Sequence, residues 1–218
     1  MFQYSGPNSQ QVLDKYSFDW EQYLAANGII TVCVDGRGTG ARGEAFRKCT
    51  YLRMGELESK DQVEAAQALG KLPFVDKSRM AIWGWSFGGY NTLMAMSVGN
   101  GTFKAGIAVA PPTDWKYYDS VYTERFMRTP KENFEGYAAT SPIRLAKDLQ
   151  GKLLLIHAQP TIMCISSRQW IMLRAWYKPV NSLKCRFTKT VIIVSTVETP
   201  AIICIPECLT FYLIICNL

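Results

Sequence analysis

Residues 83–90 read Trp-Gly-Trp-Ser-Phe-Gly-Gly-Tyr, a serine with a glycine two positions to either side. That spacing suits a hydroxyl nucleophile on a sharp turn from strand to helix, where a flanking side chain would collide with the turn. The chemistry it serves is attack on a carbonyl. Ser86 would form an acyl intermediate, and the N–H of Phe87, at the start of the next helix, would donate to the developing oxyanion. A serine needs a base at neutral pH, and the base needs an orienting carboxylate. In this arrangement both follow the serine, the carboxylate first and the histidine second. The chain holds one histidine, His157, which closes an apolar run and reads as a strand-end residue rather than as the base.

Four apolar, β-branched runs read as buried parallel strands: residues 29–34, 80–83, 105–109 and 153–156. Helical stretches precede the first three, over residues 18–26, 60–72 and 88–98. Alternation at this spacing predicts βαβ units and a mostly parallel sheet covered on both faces. Gly38, Gly40 and Gly43 form G-x-G-x-x-G after the first run, but no helix is expected to open there and no P-loop Lys-Ser/Thr follows, so the loop reads as structural.

The net charge of +6 is scattered, with 18 basic against 16 acidic residues over positions 1–157 and 6 against 2 over 158–218. No basic stripe interleaved with aromatics suggests nucleic acid. Seven cysteines, an odd number with no CxxC pair, suggest neither a disulfide framework nor a metal site; no cofactor is implied. The N-terminus lacks the pattern of a signal peptide, and no apolar run is long enough to span a bilayer.

The motif around Ser86 resembles that of the dipeptidyl peptidase IV and fibroblast activation protein group of the prolyl oligopeptidase (S9) family. The resemblance runs from about Tyr4 to His157. It includes Val34-Asp-Gly-Arg-Gly-Thr-Gly40, Ile107-Ala-Val-Ala-Pro111 and Trp115-Lys-Tyr-Tyr-Asp-Ser-Val-Tyr-Thr-Glu-Arg125. It implies an α/β-hydrolase fold, three-layered and incomplete here, with the first strands and the C-terminal strand and helix missing. It implies a serine peptidase cleaving after proline, on peptides with proline or alanine at the second position. Tyr4 matches the tyrosine whose hydroxyl completes the oxyanion hole beside the Phe87 N–H. Trp115, Tyr118 and Tyr122 match the aromatic walls of the proline pocket, and Pro112 stands where a valine is usual. The group is homodimeric through parts that this chain lacks, and is secreted, periplasmic or membrane-associated. An esterase of the same fold is the competing enzyme reading, and a non-catalytic remnant or interaction fragment the competing non-enzyme one.

The resemblance stops after His157, which matches a structural histidine of the group. Residues 158–218 contain none of the 16 glycines, no Asp and no His, but five of the seven cysteines. We read residues 1–157 as a partial catalytic domain and 158–218 as a tail translated in a shifted frame. Joining the last base of each tail codon to the first two of the next forces a valine between Met163 and Cys164. The same rule permits Thr-Ala-Asp-Asp-Asn-Val-His-Phe across residues 158–166 and the group's catalytic-histidine segment farther on, its codon straddling Ile192 and Ile193. A genuinely divergent tail is the alternative. Within the tail, residues 191–194, 202–205 and 211–216 are strand-like by composition.

Overall fold

The computed structural model describes residues 1–16, 18–158, 190–195 and 201–204. Its centre is a sheet in the order β1 (Ala81–Trp85), β2 (Ala105–Val109), β3 (Lys152–Ala158), β4 (Thr190–Ser195) and β5 (Ala201–Cys204). The first three strands are parallel, with Trp85 opposite Val109 and Val109 opposite Ile156. The last two run antiparallel, so the expected parallel character holds for the part that carries the serine. Both tail strands fall on runs expected from composition; residues 211–216 lie outside the described residues.

Helix α4 (Phe87–Val98) connects β1 to β2 and is buried from Phe87 to Ser97. A helix apolar or small on every side belongs in the interior, and here α3 (Glu56–Leu69) covers α4 in turn. Val63, Ala66, Leu93, Met96 and Phe103 meet Ile82, Ala108, Leu153 and Leu155 to form the main core. The alternate strand positions Leu154, Ile156 and Val109 form a smaller cluster on the opposite side. There Trp83 meets Trp20 of α1 (Trp20–Ala26) edge to face, with ring centres 5.5 Å apart.

The expected strand at residues 29–34 is not formed. Only Cys33 makes a bridge, to Phe2, which also bridges Trp83. The Phe2 N–H donates to the Val32 carbonyl at 2.9 Å. With Met1–Gln3 as its neighbour, the run has too few partners to propagate a ladder, and Ile29 and Ile30 remain 43% and 55% exposed. Helix limits move for local reasons. Asp19 caps α1 with Gln22 in a capping box, so α1 starts at Trp20 rather than 18. Gly55 at φ 104° opens α3 four residues early, and Gly70 closes it before Leu72. A short helix, α2 (Glu44–Lys48), does follow Gly43, against expectation. Helices α5 (Ser120–Met127), α6 (Phe134–Ala139) and α7 (Pro142–Leu145) complete the chain between β2 and β3.

Candidate active site

Ser86 sits between the end of β1 and the start of α4 at φ 55°, ψ −114°, a conformation that L-residues avoid unless their surroundings enforce it. The enforcement is visible. Its N–H donates to the Val109 carbonyl at 2.8 Å, and its carbonyl accepts the Tyr90 N–H at 2.9 Å. A Cβ on Gly84 would lie 2.5 Å from the Gln3 carbonyl oxygen and 2.6 Å from the Gly88 carbonyl carbon. A Cβ on Gly88 would lie 2.4 Å from the same Gln3 oxygen. Both glycines of the motif thus exist because one backbone carbonyl passes between them.

Phe87 is the first residue of α4, where a backbone N–H has no intrahelical acceptor and the helix dipole is positive. Its ring is buried, 6.3 Å from that of Tyr4 and 5.6 Å from that of Trp115. Tyr4 is half-buried and packs on the same cluster. Trp115 contacts Tyr118 edge to face at 5.6 Å and stacks on Tyr122 at 6.1 Å; Tyr118 and Tyr122 meet at 5.3 Å. Burial, then the neighbouring phenols of Tyr4 and Tyr118, push the Tyr122 phenol upward, so it stays protonated across the physiological range. Trp115 is almost fully buried, so it backs the cluster, while Tyr118 and Tyr122 form its half-exposed rim. Pro112 is buried three residues before Trp115.

The structure therefore brings Ser86, Tyr4, Phe87, Trp115, Tyr118 and Tyr122 to one end of the parallel strands. His157 lies in β3, opposite Val191.

Several supporting residues were not singled out from the sequence. Tyr90, fully buried beneath Phe87 and Trp115, places its hydroxyl 2.9 Å from the Met54 carbonyl and 2.8 Å from that of Thr140. Asp114 caps the turn that carries Trp115 and accepts the Ser141 hydroxyl at 2.8 Å. Glu58 is fully buried; its carboxyl accepts the Gly55 N–H at 2.8 Å, and burial pushes its pKa up to about 8. Gln3 and Asn91 join in a buried hydrogen bond. The signal for Asn91 was one amide in an otherwise small and apolar helix. Gln3 gave none, since its burial depends on partners 85 and more residues away.

The chain belongs to the prolyl oligopeptidase family, whose model matches residues 16–161, and the fold is that of an α/β-hydrolase. It is 46% identical over 159 residues to dipeptidyl aminopeptidase B of Saccharomyces cerevisiae, covering 72% of this chain and 19% of the yeast protein. It is 50% identical over 161 residues to a protein described as "Probable dipeptidyl-aminopeptidase B" in Pyrenophora teres f. teres, covering 72% and 18%. The crystal structure of Porphyromonas gingivalis dipeptidyl peptidase 4 superposes with a TM-score of 0.78 at 60% identity, covering 80% of this chain and 25% of that one. The chain thus spans about a fifth of the length of these curated relatives.

Proposed function

We propose that residues 1–157 are part of the catalytic domain of a dipeptidyl-peptidase-type serine hydrolase, with Ser86 as nucleophile. The observation that carries this reading is Ser86 at φ 55° above the buried N-terminus of α4, with Tyr4 and the aromatic cluster beside it. The Ser86 hydroxyl attacks the carbonyl carbon of the proline or alanine at the second position of a peptide. An ester to Ser86 forms, the bond to the third residue breaks, and that residue leaves as an amine carrying the hydroxyl's proton. The charge that develops on the carbonyl oxygen is met by the Phe87 N–H and the Tyr4 hydroxyl. Tyr118 and Tyr122, backed by Trp115, offer the flat apolar walls that a pyrrolidine ring fits. Pro112 contributes to the contour of that pocket. This aromatic surface favours a peptidase over an esterase.

The chain as written is nearly inert, because the acid and base of the triad are absent. Its single histidine belongs to β3, ahead of the tail. What remains is the catalysis that oxyanion donors and binding give without a base. The tail from residue 158 is the product of a shifted frame. Two measurements test this. A fluorophosphonate probe should label Ser86 slowly and Ser86→Ala not at all; labelling of both variants alike would overturn the assignment of the nucleophile. The nucleotide sequence across codons 155–165, read from independent template, should show one base lost or gained. A chain continued in the restored frame should then hydrolyse Gly-Pro amides in preference to simple acyl esters, at least a thousandfold faster than this one.

A further inference from the structure

Tyr4 lies between two buried polar residues. Gln3 and Ser5 are both almost completely shielded from solvent, and Ser5 is held at φ 62°. The Gln3 amide nitrogen donates to the Gly88 carbonyl at 2.6 Å and to the Thr92 hydroxyl at 3.2 Å. Its amide oxygen accepts the Ser5 hydroxyl at 3.1 Å and the Asn91 amide at 3.2 Å. Two donors and two acceptor positions are thereby used, the full capacity of the group. Ser5 is held in turn by Gln62 of α3, whose amide reaches the Ser5 hydroxyl at 3.3 Å and the Val34 carbonyl at 2.8 Å. The Gln3 N–H donates to the Trp83 carbonyl at 3.2 Å, and its own carbonyl is the atom that passes between Gly84 and Gly88.

We infer that Gln3 is a positioning residue for Tyr4, its buried amide fastening the segment that carries the tyrosine to the helix that follows the nucleophile. The inference rests on the oxyanion role proposed for Tyr4. An apolar side chain would fill the same space without desolvating an amide, and a polar cluster in a core costs stability wherever it is incompletely satisfied. That cost is present: the side-chain oxygens of Asn91 and Gln62 are buried without a hydrogen-bond partner. The return is geometric. A packed leucine tolerates small sliding, whereas three directional bonds, to Gly88, Thr92 and Asn91, fix Gln3 along and across α4. Tyr4, one residue on, inherits that register against Phe87. A misplacement of about 1 Å in such a donor is enough to lose most of its effect.

The test uses the full chain with 3-fluorotyrosine at position 4, read by fluorine NMR and by urea unfolding. Gln3→Met keeps the volume and removes the amide. The double variant Gln3→Met/Asn91→Leu removes both partners, which restores much of the stability lost when only one is removed. Wild type should give one narrow Tyr4 resonance. Both variants should broaden or split it, even where the double variant regains its unfolding midpoint. Leu93→Ala, destabilised elsewhere in the core, should leave it narrow. A Tyr4 resonance unchanged in Gln3→Met, or one that merely follows the unfolding midpoint across all variants, overturns the inference. Should Gln3→Met not fold, Gln62→Met asks the same question from the Ser5 side with the same two outcomes. Fluorophosphonate labelling, run in parallel, keeps the two readings apart. About tenfold slower labelling is expected in Gln3→Met and in Tyr4→Phe, with the combined variant no slower than Tyr4→Phe alone. Unlabelled wild type with a responsive resonance would discard the catalytic reading and leave the positioning intact.

Discussion

Ser86, Gly84, Gly88 and the Gln3 carbonyl occupy so small a volume that one added methyl group cannot be absorbed. The atoms it would meet are backbone, which cannot swing away as a flexible side chain would. Gly88→Ala should destabilise the chain by about 3 kcal/mol in urea unfolding, at the upper end of ordinary overpacking. Glu58 gives a second expectation at this scale. Its carboxyl takes up its proton far more readily when folded, near pH 8 against an ordinary 4.5. Between those values the native chain retains a proton that the unfolded chain has released. Stability is therefore complete below about pH 4.5, falls as pH rises, and levels near pH 8 as far as this group is concerned. The slope has an upper bound of about 1.4 kcal/mol per pH unit. Glu58→Gln should flatten that slope, measured as unfolding midpoints from pH 5 to 8. The serine, its glycines and the aromatic residues stand out in the sequence by type and spacing, whatever their roles. Glu58 and Gln3 do not, because their roles come from burial by residues distant in sequence.

Among the elements, α4 is both the floor of the site and the centre of the core. Leu93, fully buried against β1 and α3, should cost about 3 kcal/mol on truncation to alanine, whereas Leu72, more than a third exposed beyond the end of α3, should cost less than about 0.5 kcal/mol. Thermal or urea unfolding distinguishes the two. Three of the four strands expected from apolar runs are formed, with β1 and β3 shifted or extended by up to two residues at an end. They succeed because each pairs along its whole length. The run at residues 29–34 has the same composition, yet among the described residues only Phe2 bridges it, at Cys33. Composition sets what a segment can do in a sheet; the neighbour decides whether it does. Helix starts depart from the apolar periodicity where a cap sets them, as at Asp19 and Gly55.

Across the whole molecule, apolar surface is unevenly distributed. Val12, Leu13, Tyr16, Phe18, Tyr23, Ile29 and Ile30 are all exposed within one short stretch of chain, Tyr16 and Phe18 by more than 80%. Isolated exposed hydrophobes need no explanation, but this density predicts association. The chain should scatter light at micromolar concentration, and Phe18→Glu with Tyr16→Lys should raise the concentration at which it does so, with little change in the unfolding midpoint. The bonds that hold Gln3 to Gly88, Thr92 and Asn91 close loops of 85 to 89 residues. Contacts so distant in sequence are the last a chain can make. On a ribosome adding about 5–20 residues per second, Tyr4 emerges several seconds before the residues that fix it exist. For that interval the segment around Tyr4 lacks these anchors. Tyr4 is thus made well before the contacts that install it, and any chaperone that engages this polypeptide in the interval will meet it in that state.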